Sequence, residues 1–134
     1  MKLIAIHIFK WDEESPVHLC SEMDLSMLWF YQKGMAKEHI NFNSRTIASR
    51  IPPGNKASVT LENNIGICHC YTTRDNISAT IITDMEYPEK AAFTLLNNIT
   101  MDFRDSFPNS SIYESATKDM NLKYESLERF LKEW

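Results

Sequence analysis

The sequence predicts an α+β domain: five strands in one largely antiparallel sheet, with one helix on one face and two on the other. Three observations carry this reading. Strand-like runs at Ala57–Leu61, Ile65–Tyr71 and Ser78–Thr83 follow one another across short polar breaks, and short turns join antiparallel neighbours. The third run leads through Asp84-Met85-Glu86-Tyr87-Pro88 into an amphipathic helix that opens Ala91-Ala92-Phe93-Thr94-Leu95-Leu96. The order along the 134 residues is strand, strand, helix, three strands, helix, helix. The first helix can then cover one face of the sheet and the last two the other.

Each element has its own signal. Leu3–Phe9 carries apolar residues at both parities, as in a central strand covered on both faces. Asp12 to Pro16 is a polar break, and Val17–Cys20 pairs back as a second strand. Asp24-Leu25-Ser26 starts a segment crowded with Met27, Leu28, Trp29, Phe30 and Tyr31. Gly34 separates it from a helix over about Ala36–Ser49, whose inner stripe is Ile40, Ser44, Ile47 and then Ile51. Ile51-Pro52-Pro53-Gly54-Asn55 ends that helix, because proline disfavours helix in the residue before it. Asn63-Asn64 and Arg74-Asp75-Asn76 are the turns between the next strands. Pro88 suits the first turn of the following helix, where its missing N–H costs nothing. Asp84 and Glu86 suit the positive end of that helix dipole. Ala92, Leu95, Ile99 and Phe103 form its buried stripe. Pro108 to Ser115 is a loop. A last helix is predicted over about Thr117–Trp134, with Met120, Tyr124, Leu127, Leu131 and Trp134 spaced 4, 3, 4 and 3. Two heptads are short for a coiled coil, and a docked core helix explains them.

Composition narrows the function. The length fits one domain, residues 1–134, with one core. A net charge of −4 without a basic run argues against a nucleic-acid groove. Three cysteines, Cys20, Cys68 and Cys70, suit a reduced cytoplasmic chain. Glycosylation patterns at Asn76, Asn98 and Asn109 carry no weight without a secretion signal, and Met1–Phe9 does not make one. No apolar stretch approaches the ~20 residues of a membrane helix.

Catalytic and cofactor chemistry finds little support. Cys68-His69-Cys70 has the look of a metal or redox trio. On a strand, however, the two thiols point to one face and the imidazole to the other, and no second Cys/His pair has zinc spacing. Asp84 and Glu86 lack a partnered His or Lys nearby and read as helix-end electrostatics. Three glycines cannot build a phosphate loop, and no nucleophile elbow is present. No catalytic residue, metal or cofactor is therefore expected.

Phe42 is the exception. It lies about 200° around the helix from Ile40 at ~3.6 residues per turn, among the polar residues Glu38, Arg45, Thr46 and Ser49. Beside it would run the strand Ala57–Leu61, which alternates in polarity and reads as a sheet edge. A groove between a helix and an edge strand can accept an extended peptide or an alkyl chain. Phe42, Thr46 and Val59 are the candidate protein- or lipid-binding residues.

Several blocks together resemble one family: Asp24-Leu25-Ser26, Phe42, Ile47-Ala48-Ser49-Arg50, Cys68-His69 with Tyr71, Asp84-Met85-Glu86-Tyr87-Pro88 and Ala92-Phe93-Thr94-Leu95-Leu96. They resemble the longin domain of the prenylated, Ykt-six-type R-SNAREs over nearly the whole chain, most closely from Asp24 to Phe103. The resemblance implies a profilin-like fold and a regulatory, non-enzymatic role in vesicle-mediated transport and membrane fusion. Its implied partners are the protein's own SNARE segment, its prenyl and palmitoyl lipid, and partner SNAREs. Membrane contact runs through that lipid anchor, in a cytoplasmic protein cycling to Golgi, vesicle or endosomal membranes. In the family an aromatic residue on the first helix forms part of the closed contact surface, and it maps to Phe42. His39 and Asn43 stand where family members often carry more apolar residues. The SNARE coiled-coil segment and the prenylation motif are absent from this chain, which leaves a piece of a longer protein or a free longin domain; the longer protein is expected, because Trp134 ends a helix rather than a tail. Two other readings are a longin-like subunit of a tethering or coat-adaptor complex, and acyl transfer through Cys68 or Cys70. The latter needs a thiolate stabilised by a nearby cation or helix N-terminus.

Overall fold

The computed structural model describes residues 2–26, 33–62 and 65–134. The run Met27 to Tyr31 and the Asn63-Asn64 turn lie outside them. Among the described residues there are five strands: β1 (Leu3–Lys10), β2 (Val17–Met23), β3 (Lys56–Thr60), β4 (Ile67–Thr72) and β5 (Ile77–Thr83). Three α-helices accompany them: α1 (Lys33–Arg50), α2 (Glu89–Ser106) and α3 (Ser126–Glu133). The sheet order is β2-β1-β5-β4-β3, and every neighbouring pair is antiparallel.

The composition of each strand matches its place. β5 sits in the middle and is buried along its whole length. β1, next to it, is buried on both faces up to Phe9, as its apolar residues at both parities require. β2 and β3 are the edges, and β3 is largely exposed.

Two cores share the sheet. On one face Ile6, Ile8, Ala79 and Ile81 meet Ala92, Leu95, Leu96, Ile99 and Phe103 of α2 and Leu127 and Phe130 of α3. On the other face Ala5, Phe9, Cys68, Cys70 and Ile82 meet Ala36, Ile40, Ile47 and Ala48 of α1. The expected stripes of both helices are therefore the buried ones, save Ile51, which lies one residue past the end of α1 and is half-buried. The α1 interface is the more polar of the two. His7, Ser44, Thr80, Ser78 and Thr72 are all buried, and among the described residues His7 Nδ1, Ser44 Oγ and Thr80 Oγ1 have no hydrogen-bonding partner.

The Asp84–Pro88 motif is a joint. Asp84 N–H donates to Lys2 O (2.9 Å), and Asp84 Oδ1 accepts from Glu86 N–H (3.2 Å). The buried Tyr87 hydroxyl donates to Trp134 O at 3.0 Å. Pro88 is extended and stands one residue before α2, where its fixed φ leads into the first turn.

The last helix differs from its expectation. Helix is confined to Ser126–Glu133, and the residues before it run extended along β2. Met120 N–H donates to His18 O (2.6 Å) and Leu122 N–H to Leu19 O (2.8 Å). The cause lies in both partners. Met120, Leu122 and Tyr124 turn inward while Asn121, Lys123 and Glu125 are exposed, a period of two that suits an extended chain. On β2, Leu19 has no Cα partner on β1, because Ile8 pairs with Cys20 and Phe9 with His18. This bulge disrupts the ladder and leaves two successive carbonyls for the incoming segment.

Candidate functional site

The open edge of the sheet is β3, and α1 does not reach across it. α1 packs over β1, β4 and β5, and no strand lies beyond β3 among the described residues. Ala57 and Val59 pair with Cys70 and Cys68, which belong to the core under α1. Their side chains therefore face the α1 side, and Val59 is 40 % exposed there. The result is a step: an uncovered strip of β3 beside the flank of a helix.

Two contacts fix how α1 is turned. Asn41 Oδ1 lies 2.6 Å from His7 Nε2, and Arg45 Nη1 donates to Pro16 O (3.0 Å). Both residues thus face β1 and β2. At about 100° per residue, the opposite flank, toward β3, carries His39, Asn43, Thr46 and Arg50. Thr46 is half-buried on that flank. Phe42 is 67 % exposed on the crest of the helix, with Met35, 60 % exposed, one heptad before it. Of the three sequence-named residues, Thr46 and Val59 border the step, and Phe42 rises above it. Met35 was missed by sequence reasoning. The signal was its seven-residue spacing from Phe42, which places both on one stripe.

The Cys68-His69-Cys70 trio divides across the sheet as strand alternation demands. Both thiols enter the core under α1. His69 turns to the α2 face, where its ring centroid lies 5.8 Å from that of Phe93. Its Nδ1 is 2.7 Å from Ser58 Oγ and its Nε2 is 3.2 Å from Thr83 Oγ1. Burial pushes the Cys70 thiol up to about 11 and the Cys68 thiol well above its usual value. Both shifts oppose the thiolate that acyl transfer requires. Among the described residues no three His, Cys, Asp or Glu side chains gather to hold a metal.

Opposite β3, between α1 and β2, lies a polar cavity of about 340 Å³ bordered by His7, His18, Lys37, Asn41, Arg45 and Asp119. Burial pushes the His7 imidazole down to about 4. Arg45 Nη1 and Nη2 donate to the two carboxylate oxygens of Asp119 at 2.9 and 2.7 Å. That fork holds the Asp119 carboxyl below its ordinary value.

Comparison with known proteins agrees with this architecture. Residues 26–131 match the longin family, described as a regulated-SNARE-like domain. The chain is 32 % identical over 134 residues to synaptobrevin homolog ykt6 of Schizosaccharomyces pombe. It is 30 % identical over 134 residues to synaptobrevin homolog YKT6 of Debaryomyces hansenii. It is 33 % identical over 136 residues to VAMP-like protein YKT61 of Arabidopsis thaliana. Each similarity takes in 100 % of this chain and 66 % of the relative's length.

Proposed function

The chain belongs to the longin family of regulated-SNARE-like domains, and from that premise we propose that it is the regulatory domain of a Ykt-six-type R-SNARE in vesicle-mediated transport and membrane fusion. It is a single binding domain, residues 1–134, rather than an enzyme. It holds a SNARE segment and its lipid in a closed state. The observation that carries this reading is the open β3 edge beside α1, with Phe42 and Met35 exposed above it.

The mechanism needs three contributions. The outer edge of β3 offers N–H and C=O groups that an extended chain can satisfy. Phe42 offers apolar area worth on the order of 2 kcal/mol when covered, at ~25 cal/mol per Å². A tethered segment acts at an effective concentration near millimolar, so a weak contact suffices to hold it. Because the closing energy is small, partner SNAREs or a membrane surface can open the protein by shifting populations. No described helix is long and apolar enough to cross a membrane. Membrane contact in this reading comes from a prenyl and palmitoyl anchor outside this chain. The protein then cycles between the cytoplasm and Golgi, vesicle or endosomal membranes.

The test is a titration with a peptide spanning the SNARE segment of a relative, and separately with a farnesyl-like detergent, followed through backbone amide shifts. Shifts are expected at Phe42, Thr46 and Val59, weakened by Phe42→Glu. Shifts confined to the α2 face around Leu95 and Leu127 would refute the site. No shift in either titration refutes the mechanism and favours a subunit of a tethering or coat-adaptor complex.

A further inference from the structure

Residues Asp119 to Leu122 occupy the sheet edge opposite β3, as a strap along β2. We propose that this edge is a second strand-addition site, independent of the α1–β3 surface. Its outside occupant is an extended peptide of another protein, carrying an acidic residue followed by apolar, any, apolar. The chain's own Asp119-Met120-Asn121-Leu122 shows that pattern in place.

Three features build the site. The bulge at Leu19 turns the His18 and Leu19 carbonyls outward, and they accept from Met120 N–H at 2.6 Å and Leu122 N–H at 2.8 Å. A carboxylate receptor stands at one end. Arg45 forks onto Asp119, and His18 N–H donates to Asp119 Oδ1 at 3.1 Å. The receptor is positioned by groups outside the strap, because Arg45 also donates to Pro16 O (3.0 Å) and its guanidinium lies 5.8 Å from the Phe9 ring centroid. Beyond the carboxylate, Met120 and Leu122 lie against the core shared by β1, β2, α2 and α3. An incoming peptide of the same pattern meets the same acceptors, the same fork and the same apolar ground.

The strap is a weak competitor held close. The Arg45 and Asp119 side chains are 33 % and 54 % exposed, so water and salt screen their attraction. The strap wins by its tether. A partner that concentrates its peptide at this edge displaces it, and the polar cavity beside Arg45, bordered by Lys37, Asn41 and Asn121, leaves room for the exchange.

The probe is a fluorescent peptide copying residues 116–124, titrated into the intact chain and into an Asp119→Lys variant. In the variant Arg45 repels the strap, and the peptide should bind at least about tenfold more tightly than to the parent chain. That gain should vanish when Arg45→Ala is added, or when the peptide carries Lys in place of its Asp. Equal affinity for parent and variant overturns the proposal, as do amide shifts confined to β3. A strand-exchanged dimer of the variant that excludes the peptide overturns it too, by making a second copy the occupant. If Asp119→Lys does not fold, Arg45→Ala replaces it, read by hydrogen exchange. Amides of Met120 and Leu122 should then exchange at least about tenfold faster with β5 unchanged. Unchanged exchange at those two amides overturns the proposal.

Discussion

Cys68, His69 and Cys70 are consecutive in sequence and separated in space, and the separation decides their chemistry. Cys68 packs as a small hydrophobe against the α1 core. Cys68→Ser should destabilise the domain by roughly 1–3 kcal/mol, since a hydroxyl replaces a buried thiol, and urea unfolding measures it. An unchanged midpoint would mean that Cys68 is not packed as described. His7 makes a sharper prediction. Burial holds its folded pKa near 4, below the 6.5 of an exposed imidazole. The folded state therefore resists the proton. Stability is full above pH 6.5 and is lost as the pH falls from there toward 4, by roughly 3 kcal/mol at about 1.36 kcal/mol per unit. The buried His69 is shifted down for the same reason and adds in the same direction. His7→Gln should flatten the fall in stability between pH 7 and pH 5. The same slope in both proteins would sink the assignment.

At the scale of elements, α1 separates packing from recognition on one helix. Ile47 is buried and Phe42 exposed. Ile47→Asp should unfold or severely destabilise the domain by placing an unpaired charge in the core. Phe42→Glu should leave stability within about 1 kcal/mol. Comparable losses in both, by thermal or urea melts, would put Phe42 in the core and remove it from the candidate surface. The sheet and its two helical layers were legible because their signals are local: alternation, short turns, and apolar residues at helical spacing in α1 and α2. The Asp84-x-Glu-Tyr-Pro block was legible as a helix entrance. Its bond from Tyr87 to Trp134 O was not, since nothing local couples residues 47 apart. The segment before α3 was misread for an instructive reason. Met120, Tyr124 and Leu127 fit a helical stripe, but Leu122 breaks it and restores a period of two. What settles the matter is the pair of carbonyls released by the bulge at Leu19, a feature of β2 that no reading of residues 117–125 alone contains. The candidate step was half legible. Exposure of Phe42 and Val59 followed from pattern, whereas the projection of β3 past α1 depends on where three other strands sit.

The whole molecule is two cores sharing one sheet, and they are not equal. The α2 interface holds buried His69, Thr83 and Thr100 among its apolar residues, whereas α1 brings its own buried Ser44 over buried His7, Thr80, Ser78 and Thr72 and is the more polar. Native-state hydrogen exchange should therefore rank β5 slowest, α2 next and α1 fastest, because local opening follows the apolar contact that must be broken. Amides of α2 exchanging faster than those of α1 would show that the polar layer is no weak point. The two edges of the sheet are unequal as well. A sheet grows only through its edges, and here β2 is stopped by its own chain while β3 is open. Such a molecule is monovalent: two copies can join edge to edge, and the pair then has nothing left to offer. Release of the strap frees the second edge for the outside peptide proposed above, and one molecule then joins two different chains through one sheet. Asp119 thus sets the difference between a domain with one place for a partner strand and a domain with two.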